Sequence, residues 1–226
     1  MGKSPYKSPT DMGVNMAGYA IFDDNAVCDA ARQEIVRRYY KTLVISKLDS
    51  SHNHEVLNQE LIMQKAECSI EDRKTVAAAL GKAEQTGAPA VAIELPDGKI
   101  ITGKTSSLLG ACSSAMLNAL KELAGIPDAI NLISPVIIEP VQKLKTEYMG
   151  NHNPRLHIDE ILIALSICAV TDDAARLALQ QLPKLHGCEL HSTVILAAAD
   201  EHALRKLGIN VTSEPIHETK KLYHAR

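Results

Sequence analysis

Apolar positions recur at helical spacing through the first third of the chain and switch to alternation near residue 90. Val27, Ala31, Ile35 and Tyr39 share one face of a helix predicted from Asp23 or Asp24 to about Leu48. Ser50 to Asn53 reads as a turn, Glu55 to Glu67 as a second helix, and Ser69 with Asp72 as a capping box opening a third, to about Thr86. Gly87-Ala88-Pro89 ends this block. Ala90–Leu95 and Lys99–Thr102 then flank Pro96-Asp97-Gly98, a strong hairpin signal.

Further on, Ser106–Ala124 predicts a small-residue helix closed by Gly125, and Ser134-Pro135 opens another that Pro140 is expected to interrupt. His157–Thr171 predicts a markedly apolar helix, with Asp172 capping the next, to about Leu185. Cys188–Leu196, Asp200–Leu207 and Ile209–Ser213 read as strand, helix and strand, a βαβ-like unit. The fold class is therefore α/β: a helical N-terminal segment, then a small mixed sheet of four to five strands with flanking helices. The organisation reads as an irregular lead-in over 1–18, with a short strand possible at Tyr19–Phe22, a helical segment over 19–87, an α/β core over 88–215 and a tail over 216–226, in one compact whole.

Composition narrows the function classes. Apolar residues make up 46% of the 226 residues and charged residues 23%, as in ordinary globular proteins. With 24 Lys and Arg against 27 Asp and Glu, the net charge of −3 argues against a nucleic-acid partner. Only 3% of residues are aromatic, too few for base-stacking platforms. The five cysteines, Cys28, Cys68, Cys112, Cys168 and Cys188, are odd in number and form no C-x-x-C pair, so reduced thiols and a cytoplasmic location are expected. The first residues lack an apolar signal core, and the uncharged run Ile161–Thr171 is too short to span a bilayer, so no membrane partner is expected.

Several constellations imitate known chemistry. Gly98 to Thr105 matches the phosphate-loop spacing of Gly, four residues, Gly-Lys-Thr. A phosphate loop needs a strand, a compact loop and then a helix, whereas here the match runs along a hairpin's second strand. A weaker anion site remains at Lys104, Thr105, Ser106 and Ser107, at the start of the predicted Ser106–Ala124 helix; a plain helix cap with a solvated lysine explains the same residues. His54-Glu55 and His217-Glu218 lack the second histidine of a zinc-protease helix. His152, Arg155, His157, Asp159 and Glu160 precede an apolar helix, where capping accounts for them. Cys188 and His191 face opposite sides of a strand, so no metal site and no cofactor are expected. Cys112 reads as core, and Arg32, Arg37, Arg38 and Glu34 as a solvated ion-pair face.

Five stretches taken together resemble one family: Pro5 to Gly18, Glu34 to Tyr40, Leu95-Pro96-Asp97-Gly98 with Thr102 to Gly110, Asn153 to His157, and Gly187 to Leu196. The chain looks like the C-terminal half of the bacterial domain-of-unknown-function family 1846, also called uncharacterised protein family 0371. The resemblance implies relatives about twice as long, whose N-terminal half carries a Gly-rich, phosphate-loop-like segment. It implies no established reaction; an ATP-dependent peptidase label borne by some members finds no support in these residues.

Two readings follow. In the first, the chain contributes part of an anionic small-molecule or nucleotide site completed by an N-terminal half, nucleotide binding being possible only with that half. Asp11, Asn15, Lys104, Thr105, Ser106, Ser107, Arg155, Asp159, Ser192 and Thr193 would converge as ligand contacts. Lys104 and Arg155 would hold the anion, and His157 or His191 would exchange protons, because histidine titrates near neutrality. In the second, the chain is a structural or oligomerisation domain whose polar groups cap helices. The apolar helices Ser106–Ala124 and His157–Thr171 add an expectation of an exposed apolar face, covered by self-association or by an N-terminal-half partner.

Overall fold

The computed structural model describes residues 24–218. The expected lead-in, the strand at Tyr19–Phe22 and most of the tail lie outside the described residues. The chain divides into two compact units after Arg73.

The first unit is helical. Helix α1 (Asp24–Leu48) and helix α2 (Asn53–Lys65) pack on each other, joined through a 3-10 turn at Ser50–His52. The Asp49 carboxylate caps that turn by accepting from Ser51 N at 3.0 Å. On α1, Arg37 Nη2 and Arg38 Nε both donate to Glu34 at 2.8 Å, the solvated ion-pair face the spacing predicts. Ser69 and Asp72 do form a capping box, with Ser69 N on Asp72 Oδ2 at 2.7 Å, but it closes one 3-10 turn, Ile70–Asp72. The long helix α3 (Lys74–Thr86) starts afterwards and belongs to the second unit, where it packs on the sheet.

The second unit is α/β. Strands β1 (Ala90–Glu94) and β2 (Ile100–Lys104) form the expected antiparallel hairpin. Gly98 takes φ +82° in its turn, where only glycine is unstrained, and Asp97 Oδ1 accepts from Lys99 N at 3.0 Å. Helix α4 (Ala111–Ala124), helix α5 (Pro135–Lys143), helix α6 (Ile158–Cys168) and helix α7 (Asp173–Leu179) follow. Strand β3 (Glu189–Ser192), helix α8 (Ala198–Lys206) and strand β4 (Asn210–Ser213) close the unit, with β3 and β4 parallel as a βαβ unit requires. Among the described residues the sheet has four strands in the order β2-β1-β3-β4.

Pairing register assigns the two faces. Val91, Ile93 and Leu190 face α4 in the main apolar core, which also holds Met116, Leu120, Ile161 and Leu165. Ala90 and Ala92 alternate to the other face, which α3 covers with buried Val76 and Ala79. Gly103 pairs with Val91 on the α4 face, and a Cβ there would overlap the backbone N and Cα of Ala115. The second glycine of the phosphate-loop spacing is therefore a contact between strand and helix.

Further element boundaries differ from expectation. Helix α4 starts at Ala111 rather than Ser106, because residues 108–110 pair with Leu156: Leu156 N donates to Leu108 O at 3.0 Å and Gly110 N to Leu156 O at 3.3 Å. Pro140 sits inside α5 without ending it. Val136, whose carbonyl loses the amide partner, is exposed and reaches water, and the chain continues through a π turn at Leu144–Tyr148. Strand β3 stops at Ser192, whose hydroxyl donates to Val194 O at 2.7 Å and folds the chain into a turn. Asp172 caps α7 as expected, accepting from Ala174 N and Ala175 N, but the helix ends at Leu179 rather than near Leu185, where Leu182–Leu185 forms a separate 3-10 turn. Among the described residues no helix is long and apolar enough to cross a membrane.

Candidate functional site

An open cleft lies in the α/β unit where the C-terminal end of β3 meets the N-terminal ends of α4 and α6. It encloses about 480 Å³ counted out to its mouth. The carboxyl end of a parallel strand is where open α/β sheets place ligands.

Leu156 sets the geometry. It is fully buried, its amide and carbonyl are both bonded to the 108–110 segment, and Ser113 Oγ donates to its carbonyl at 2.8 Å. Its neighbours Arg155 and His157 are thereby fixed, and both line the cleft. Lys145, only 3% exposed, reinforces the segment: Nζ donates to Arg155 O at 2.6 Å and to Glu160 Oε2 at 2.7 Å. The same Glu160 oxygen accepts from His157 N at 2.7 Å.

His157 and Asp200 form the chemical centre. His157 Nδ1 lies 3.0 Å from Asp200 Oδ2, and a carboxylate only accepts, so Nδ1 is the donor. That bond fixes the tautomer and leaves Nε2 available in a group lining the cleft. Asp200 Oδ1 accepts from Ile158 N at 2.8 Å, so the carboxylate also caps α6 from a different element. The hydrogen bond to Asp200 raises the His157 pKa above its ordinary value; burial opposes this, and the Asp200 charge adds to it. The ring is thus held protonated to a higher pH than a free imidazole.

Arg155 is the cleft's guanidinium. Nε donates to Ser106 O at 2.8 Å and Nη1 to Glu218 Oε1 at 3.1 Å. Cys112, in the first turn of α4, also lines the cleft. Burial pushes its thiol pKa well up, with Asp200 and Glu218 adding to the effect, so it stays a protonated thiol and no nucleophile. Burial likewise raises Cys68, and brings Cys188 to about 11, whereas Cys28 is exposed. Iodoacetamide near neutral pH is expected to label the native protein at Cys28 and to spare Cys112; mass spectrometry of the digested adduct reads the pattern.

The structure brings together Thr105, Arg155, His157 and Ser192 from the residues the sequence singles out. Lys104 pairs with Ala90 on the α3 face and is exposed, away from the cleft. Ser106 and Ser107 precede α4 by a loop rather than starting the helix; Ser106 Oγ accepts from Leu109 N at 3.0 Å in a local turn. Asp159 is exposed, and its carboxylate accepts from Glu160 N at 3.0 Å. His191 pairs with Ala92 on the α3 face, fully buried, with Nδ1 2.9 Å from Thr212 Oγ1 and Nε2 3.2 Å from Glu214 Oε1. Cys188 lies in the core on the other side. Thr193 Oγ1 accepts from Ala90 N at 3.0 Å. Asp11 and Asn15 lie outside the described residues. Asn153, Asp200 and Glu218 are cleft residues that sequence reasoning missed; no local spacing ties Asp200 to His157 across 43 positions.

Comparison with known proteins matches this frame. The family model described as "Domain of unknown function DUF1846, C-terminal" matches residues 71–223, which hold the whole cleft. The chain belongs to the DUF1846 family. The model for the DUF1846 N-terminal domain matches residues 1–67, so the boundary between the two models falls close to the division between the compact units. A UPF0371 protein of Corynebacterium glutamicum is 55% identical over 225 residues, which are all of this chain and 46% of that protein. One from Corynebacterium efficiens is 56% identical with the same coverage, and one from Streptococcus uberis is 50% identical over 99% of this chain and 45% of its own length. The DUF1846 chain spans about half the length of the curated relatives it matches.

Proposed function

We propose that the α/β unit carries part of a binding site for an anionic small molecule, in which His157 exchanges protons and Arg155 holds the anion. The observation supporting this is the His157–Asp200 pair: its orientation commits Nδ1 to the carboxylate and leaves Nε2 for a ligand in an open cleft. The amides at the start of α4, beside Gly110 and Ala111, add a favourable field for negative charge. A further segment, from an N-terminal half or from a partner, completes the cleft, and nucleotide binding is possible only with that half. Imidazole NMR of the full chain tests the reading: added succinate or inorganic phosphate is expected to shift His157, and the shift to vanish in Arg155→Gln. Ring signals indifferent to both anions reject it.

A structural or oligomerisation role is the second reading, favoured by α6. Ile163 and Ile167 stand 62% and 59% exposed at i and i+4 on one face of α6, and Val170, in the turn that follows the helix, is 78% exposed. Self-association through this stripe as a symmetric pair is the expected cover. Light scattering at several concentrations is expected to show a dimer that Ile167→Lys dissociates; a strictly monomeric wild type at tens of micromolar removes this reading.

A further inference from the structure

The segment after β4 returns across the cleft. Glu214 N donates to Ser192 O at 2.9 Å and Ile195 N to Ile216 O at 2.8 Å, which carries the chain to Glu218 at the cleft wall. There the Glu218 carboxylate meets Arg155 Nη1 at 3.1 Å. The two partners are held very differently. Arg155 is 8% exposed, its Nε donates to Ser106 O, its amide N donates to Asn153 Oδ1 at 3.1 Å, and its carbonyl accepts from Lys145 Nζ. Glu218, its side chain 23% exposed, is delivered by a strap without helix or strand, in which Ile216 is 53% exposed. If the pair opens, the guanidinium stays in place and the carboxylate leaves, because lightly packed irregular segments open at the lowest free energy.

We infer that Glu218 is a built-in substitute for a ligand carboxylate, and that the strap 214–218 closes the Arg155 subsite until a carboxylate-bearing small molecule displaces it. This rests on the proposed anion site and adds its regulation and ligand class. Glu218 is itself a carboxylate, and it meets Nη1 while Ser106 O accepts from Nε. A ligand carboxylate oxygen in the Glu218 position meets the same Nη1 donor. Charge enforces the exchange. The cleft already holds the Asp200 and Glu218 carboxylates, so an incoming carboxylate meets less opposing charge once Glu218 withdraws. Displacement leaves the cleft's charge balance unchanged. A site closed in this way shows an apparent affinity reduced by the fraction of molecules in the open form.

The test compares wild type, Glu218→Gln and Glu218→Asp by NMR of the Arg155 Nε–H and His157 ring during titration with succinate and, separately, inorganic phosphate. Succinate is expected to bind Glu218→Gln about fivefold or more tightly than wild type, a coupling of ordinary allosteric size. Glu218→Asp, whose carboxylate is one methylene shorter, is expected to shift in the same direction and serves if the glutamine variant does not fold. Equal succinate affinity in wild type and both variants, with His157 still responding, overturns the strap while leaving the anion site standing. A gain for phosphate alone overturns the carboxylate assignment. Silence of both probes in all three proteins overturns the anion site and the strap together.

Discussion

Replacing Gly103 by alanine is expected to destabilise the α/β unit by about 3 kcal/mol, the upper end of overpacking in a closed core. Replacing the adjacent Lys104 by alanine is expected to cost less than about 0.5 kcal/mol, as for other exposed positions without special contacts. The added Cβ at Gly103 would enter the space of the Ala115 backbone, and backbone cannot rotate aside as a flexible side chain would. Relief requires β2 and α4 to separate, and these two elements form one of the most extensive contacts in the unit. Lys104 ends β2 with its side chain in water. Urea denaturation of both variants reads the two costs. Parity between Gly103→Ala and wild type would mean that strand and helix are not in close approach. The same pair of variants tests the phosphate-loop spacing: no ATP binding dependent on Lys104 is expected in calorimetry of this chain. Micromolar binding lost in Lys104→Ala would restore a nucleotide role to the segment.

Local patterns made much of the fold legible, and the long-range parts of the site were not. The Pro96-Asp97-Gly98 turn, the Asp172 cap and the β3-α8-β4 unit each depend on residues within a few positions, so sequence and structure agree. Helix α4 was read too long because Thr105 to Gly110 carries no helix-breaking residue before Gly110. What stops the helix is pairing with Leu156, a partner 47 positions from Leu109 that no local pattern reveals. The candidate site residues divide between two places for a related reason. Lys104 to Ser107 and His191 to Thr193 were grouped as neighbours in sequence, but a strand sends neighbours to opposite faces. Register therefore turns Lys104 and His191 toward α3, while Ser192 lines the cleft. Arg155 and His157 both reach the cleft because they flank Leu156 in an extended segment, where residues two apart share a side. The sequence marks Asp200 only as the start of a predicted helix; its carboxylate serves the start of α6.

Asp200→Asn is expected to lower the His157 pKa and to destabilise the unit by about 2 kcal/mol near pH 6, with the loss shrinking as pH rises. The carboxylate accepts two donors, His157 Nδ1–H and Ile158 N–H. An asparagine has one oxygen, so one of those donors would face an amide N–H and lose its partner in a nearly buried position. The bond from Asp200 is the largest cause of the raised His157 pKa, ahead of the opposing burial. In the variant, burial acts without it and the titration moves down. A group whose native pKa lies above its unfolded value stabilises fully below the unfolded value, about 6.5 for histidine, and loses that contribution as pH rises through the native value. The stability gap between wild type and Asp200→Asn should therefore be widest on the acid side of neutrality. It should narrow through the native His157 titration to the residue due to the Ile158 amide alone. Denaturation at a series of pH values, with His157 followed by NMR in both proteins, measures the two effects separately. A His157 titration unmoved by the substitution would show that Asp200 serves only to cap α6, and the proton-handling role would fall with it.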